Sequence, residues 1–123
     1  MIPHHSFHSA KNRSAQLLVS RGYEPVAKVT GSDLARAIPL HVIGRKGDYE
    51  ALCVKLRIAR QPVSETYVES FCRHDICQFR SLLLQSAGNV LLRCEVRVVS
   101  PDNAIHCYEV LKRGIREVAA YAR

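Results

Sequence analysis

Several things are missing from this chain, and each absence narrows its class. No apolar run approaches the ~18 residues a membrane span requires, so no membrane-embedded role is expected. The opening segment, MIPHHSFHSAKNR, lacks the apolar centre of a secretory signal peptide. Together these point to a cytoplasmic protein. No phosphate-cradling P-loop or dinucleotide-type glycine pattern occurs, and there is no internal repeat or low-complexity segment. A disulfide framework is also unexpected. Five cysteines are present, an odd number, and they fall mostly inside expected helices and strands. That suits buried reduced thiols in a reducing compartment.

At 123 residues the chain is long enough for one domain with a true core, and small enough to benefit from a partner. Its composition is that of a globular protein, 47% hydrophobic and 24% charged. The formal net charge is +7 and the pI is near 9.5. That excess favours a polyanionic partner, nucleic acid foremost.

Residues 1–9 read as a flexible tail and 10–123 as a single domain. His4, His5 and His8 lack further ligands in sequence, so no metal is assigned to them. Residues 9–20 read as a helix with Ser9 as cap and Ala15, Leu18 and Val19 as its apolar stripe, ended by Gly22. Strands are expected over 23–29 and 37–45. A turn is expected at Arg45-Lys46-Gly47-Asp48. The clearest strand covers 49–59, with Leu52, Val54, Leu56 and Ile58 on one face and Cys53, Lys55 and Arg57 on the other. That alternation predicts a core side and a side presenting charge.

Ser64 is placed to cap a helix running to about residue 85, unbroken or interrupted near His74-Asp75. Gly88-Asn89 marks a turn. Residues 90–99 read as a fourth strand, with Leu92, Cys94, Val96 and Val98 opposite Arg93, Glu95 and Arg97. Pro101 suits the first turn of a last helix, lined by Ile105, Tyr108, Leu111, Ile115 and Val118. The expected architecture is therefore α/β: a mixed four-stranded sheet, made of a three-strand meander plus a crossover strand, flanked by helices.

That order resembles the core of the PD-(D/E)XK nuclease superfamily, restriction endonuclease-like and archaeal Holliday-junction resolvase-like. The hairpin of that family carries an Asp, a basic-Gly turn, then hydrophobic-Glu-Val-Lys. Here the same frame reads His41-Val42-Ile43-Gly44, Arg45-Lys46-Gly47 and Leu52-Cys53-Val54-Lys55. RSAQLLVSRGYEPVAK resembles the family's opening helix, Gly-Tyr turn and first strand.

The resemblance implies a metal-dependent DNase site in which Lys55 is the motif lysine. His41 and Cys53 stand where the two acids would be. The family's carboxylates hold Mg²⁺, which takes hard oxygen ligands and activates water. An imidazole and a thiol do not replace them. The leading expectation is thus a catalytically degenerate nuclease-fold protein binding nucleic acid or a protein partner, with no cofactor. A first alternative is an active Mg²⁺-dependent endonuclease with a migrated carboxylate, Glu65 or Glu69 on the following helix. A second is a structural domain forming a homodimer, as many resolvase-like proteins do.

Arg45, Lys46, Lys55, Arg57 and Arg60 are the candidate phosphate contacts. A second basic group is Lys112, Arg113, Arg116 and Arg123, read as ordinary solvated charge at least as readily as a contact surface. Two further constellations lack the partners their chemistry needs. Cys72, His74 and Cys77 are possible zinc ligands, but positions 72 and 77 diverge by ~140° on one helix. A Cys53–His41 pair near Lys55 could form an activated thiol, but no orienting acid accompanies it.

Overall fold

The computed structural model describes residues 4–26, 42–47, 49–85 and 91–121. Among them lie α1 (His4–Ser20), β1 (Glu24–Pro25), β2 (Val42–Lys46), β3 (Glu50–Ile58), α2 (Glu65–Phe71), α3 (Arg73–Gln85), β4 (Leu91–Val99), β5 (Ile105–Val110) and β6 (Ile115–Tyr121). The strands form one six-stranded mixed sheet in sequential order. Neighbours are antiparallel except β3 and β4, which run parallel. The crossover through α2 and α3 makes that parallel contact possible, because parallel neighbours need a long return connection.

The sheet thus has six strands rather than the four expected, and the difference lies at its C-terminal side. Where a last helix was expected, β5 and β6 form a hairpin. Its apolar residues at 105, 108, 111, 115 and 118 fit a helical period, but IHCYEV also alternates. Ile105 and Cys107 are buried on one face of the sheet, and Tyr108 and Val110 on the other. The turn after Pro101 is set by Asn103, at φ 71, and by Asp102, whose Oδ1 accepts from the Ala104 amide at 3.2 Å. Both devices turn the chain back and do not start a helix.

α1 begins at His4, so His4–Ser9, expected as tail, belongs to the helix. Its inward residues are Ala10, Ser14 and Leu18, four apart as a helix face requires. Val19, expected in the apolar stripe, is exposed. The helix ends as Gly22 suggests. Gly22 adopts φ 88, its amide donates to the Val19 carbonyl, and the Tyr23 amide reaches back to the Leu18 carbonyl at 2.9 Å. This is the double bond of a Schellman stop, and Leu18 and Tyr23 pack in one cluster, as that motif favours.

The crossover helix breaks at Cys72, between α2 and α3. Ser64 caps α2 by accepting from the Tyr67 amide at 3.2 Å. β3 is one residue shorter than expected at each end, and β2 runs one residue past its expected end, to Lys46. The expected strands over 23–29 and 37–45 lie partly outside the described residues, as do His41, Asp48, Gly88-Asn89 and Arg123.

β3 is central, and both its faces are covered. Leu52 and Val54 pack with Leu18 and Tyr23 of the α1 side. Cys53 packs with Val68, Ile76, Phe79 and Leu82 of α2 and α3. Residues 51 to 56 are all buried. The face expected to present charge is therefore interior, filled by the crossover helices. No described helix is long and apolar enough to cross a membrane.

Candidate functional site

Lys55 projects from β3 into the layer between the sheet and α3. Only 4% of it is exposed. Its Nζ lies 3.2 Å from Asp75 Oδ1 and donates to Gln78 Oε1 at 3.0 Å. Asp75 and Gln78 are three apart on α3, one helical turn, so a single face delivers both. Two residues along β3, Arg57 grips the same carboxylate with two parallel bonds. Its Nε donates to Asp75 Oδ2 at 2.7 Å and its Nη2 to Oδ1 at 2.8 Å. This fork-to-carboxylate geometry is the strong form of an ion pair.

Asp75 is itself 2% exposed. Burial opposes its ionisation, but hydrogen bonds from Arg57 and Lys55 outweigh burial and hold the carboxyl below its usual range. The bond to Asp75 raises the Arg57 guanidinium in turn. The sequence marks Asp75 only as part of a possible break in the helix. Its place opposite Lys55 depends on how α3 packs, which no local pattern records.

The other candidate residues are dispersed. Cys53 is wholly buried in apolar surroundings, and its partner on β2 is Ile43. An open, activated Cys53 thiol is thus excluded by packing. Glu65 and Glu69 are exposed on α2, and the helix carboxylate that reaches Lys55 is Asp75 instead. Cys72, at the α2–α3 junction, is buried, while Cys77 on α3 is exposed. No described group of three or more His, Cys, Asp or Glu side chains is placed to hold a metal ion.

The expected basic stripe is not continuous. Lys55 is interior. Arg45, exposed, lies 3.4 Å from Glu24. Lys46 places its Nζ 4.5 Å from the centre of the Tyr23 ring, a cation–π contact. Arg57 keeps a part-exposed side chain while holding Asp75, and Arg60 is exposed beyond the end of β3. At about 3.3 Å per residue, the two ends of β3 are roughly 26 Å apart. Arg45 and Arg60 could touch distant phosphates of one polymer, and could not clamp the same one.

The opposite sheet face holds a second charge cluster that sequence reasoning missed. Arg97, 0% exposed, donates from Nε to Glu95 Oε1 at 3.1 Å, and from Nη1 to the Ser14 carbonyl at 2.8 Å and Oγ at 2.7 Å. Arg21 closes on the same Glu95 through both terminal nitrogens at 3.0 and 2.8 Å. Its guanidinium is raised chiefly by that bond. Arg97 Nη2 has no hydrogen-bond partner among the described residues. The cluster ties α1 to β4. The sequence places Glu95 and Arg97 on one face of a strand, but not Ser14 or Arg21 against them.

No protein-family profile matches this chain, and no curated protein matches it.

Proposed function

We propose that this chain is a catalytically degenerate, restriction endonuclease-like protein that binds nucleic acid without cutting it. The observation that carries the reading is the fate of Lys55. The lysine at the motif position is buried, its charge is matched by Asp75, and it donates a hydrogen bond to Gln78. A lysine so held is not free to orient an attacking water. Cys53, at the position of a metal-binding acid, is a thiol in apolar surroundings. The order of helix, antiparallel meander, crossover and parallel strand also supports the reading, since it is the order the resemblance implies. The phosphate contacts fall to Arg45 and Arg60, which are exposed, and to the part-exposed Lys46 and Arg57, with the net charge of +7 supplying long-range attraction.

One observation favours the active alternative. A carboxylate from the crossover helix does stand beside Lys55, as a migrated acid would. It is, however, saturated by two cations, and one carboxylate bound to a guanidinium fork leaves little for Mg²⁺.

The test is duplex binding across a salt series, alongside a cleavage assay with Mg²⁺ and Mn²⁺. Log affinity should fall linearly with log salt. Replacing Arg45, Lys46 and Arg60 by Ala should weaken binding for every sequence and flatten that slope. Arg57 is left in place because its loss would also uncouple Asp75. Cleavage abolished by Lys55→Ala would overturn the degenerate reading. Absence of binding even at low salt would favour a homodimeric interaction domain.

A further inference from the structure

Cys53 and Cys94 are Cα partners across the parallel β3–β4 pair. Both are 0% exposed and belong to the same apolar cluster beneath α2 and α3. Partnered residues on neighbouring strands project to the same face, and the strands are spaced by roughly 4.8 Å. That spacing lies within the roughly 4.4–6.8 Å between Cα atoms that a disulfide bridges. The proximity of Cys53 and burial together push the Cys94 thiol up.

The other cysteines are placed differently. Cys107 is on the opposite face with Leu56 and Ala10. Cys72 lies at the α2–α3 junction, pushed up to about 12 by burial. Cys77 is exposed on α3.

We propose that Cys53 and Cys94 are a disulfide-forming site, oxidised by small peroxides, that fastens the parallel strand pair. The chemistry balances in two steps. One sulfur attacks a peroxide oxygen, the O–O bond breaks, and the cysteine becomes a sulfenic acid as one water leaves. The second sulfur then attacks the sulfenic sulfur, the S–O bond breaks, and a second water leaves. Two thiols lose two electrons and hydrogen peroxide is reduced to two waters.

The pair is shielded by α2 and α3, so oxidation proceeds through local opening of the crossover and is slow in the closed state. The sulfurs need no large strand movement once reached. The link encloses the whole crossover, residues 53 to 94, and so restricts the unfolded chain.

The test treats the full chain with hydrogen peroxide, then denatures, alkylates and digests it for peptide mass mapping. The expected product is a reducible link between the Cys53 and Cys94 peptides. It should form faster in urea concentrations below the unfolding transition, and the oxidised protein should unfold at higher urea until dithiothreitol restores the original midpoint. Cys94→Ala should abolish the link, while Cys77→Ala and Cys107→Ala should keep it. Should Cys94→Ala fail to fold, the peptide map of the unmodified chain decides alone. The proposal is overturned if Cys53 and Cys94 stay alkylatable after Cys77 has oxidised, or if the links join other cysteines.

Discussion

The Lys55 ammonium and the Asp75 carboxylate meet at 3.2 Å with both side chains almost wholly buried. They come from β3 and α3, twenty positions apart in the chain, and each would be costly alone. An isolated buried charge loses its hydration, and only a well-bonded partner offsets the loss. Arg57 completes the group from the solvent side. The cluster pins the crossover helix to β3, beside its parallel contact with β4.

Asp75→Ala should therefore destabilise the protein by about 3–5 kcal/mol, because it strands Lys55 in the interior. Urea unfolding would measure this. Pairing the change with Lys55→Met should recover much of the loss, since an apolar chain of similar length needs no counter-ion. A double variant no more stable than Asp75→Ala would show that the ion pair is not the source of the effect.

Acid should weaken the same contact. Asp75 is held below its usual range, despite burial, by bonds from Arg57 and Lys55. A depressed folded value means that the unfolded chain binds the proton more readily. The contribution is thus complete above the unfolded value of about 3.9 and is lost as pH falls through the lower folded value. The stability gap between the unmodified protein and Asp75→Asn should shrink on acidification below about pH 4. A gap unchanged by acid would contradict an ionised pair.

Gly44 is where α1 and its following turn press on β2. A Cβ there would stand 2.9 Å from the Tyr23 Cβ and 3.1 Å from Leu18 Cδ2. Gly44→Ala should cost about 1–3 kcal/mol by overpacking. Thermal unfolding would record it as a lowered midpoint. An unchanged midpoint would mean that α1 yields freely, and that its seating on β2 is loose.

Cys53→Glu tests whether the position proposed for a metal-binding acid is open. Its site is apolar and wholly buried, so a carboxyl there should cost at least about 1–3 kcal/mol as an unsatisfied polar group. Combining it with His41→Asp should leave Mg²⁺-dependent cleavage undetectable. A stable double variant that cuts DNA would place Cys53 in an accessible cleft after all.

Much of the fold was legible because local rules and the tertiary structure agree. Gly22 stops α1, Ser64 starts α2, and the alternation from Leu52 to Ile58 makes β3. These depend on backbone conformation and nearest neighbours, which sequence records directly. The α/β order and the parallel contact followed from them.

The hairpin of β5 and β6 was not legible, since residues 105 to 118 fit a helical period while 105 to 110 also alternate as a strand does. The competing pattern won because both sheet faces there bury apolar side chains.

The candidate site was decided by packing. Periodicity assigns the residues opposite an apolar face to solvent, and that holds only when one face is covered. β3 lies between α1 and the crossover helices, so Cys53 and Lys55 became interior and needed partners. Sequence alone established a basic α/β protein with Lys55 on a strand, opposite its apolar face. Only the tertiary structure supplied Asp75 and Gln78 against Lys55, and Cys94 against Cys53, because contacts between elements distant in the chain are set by how faces stack and not by local order.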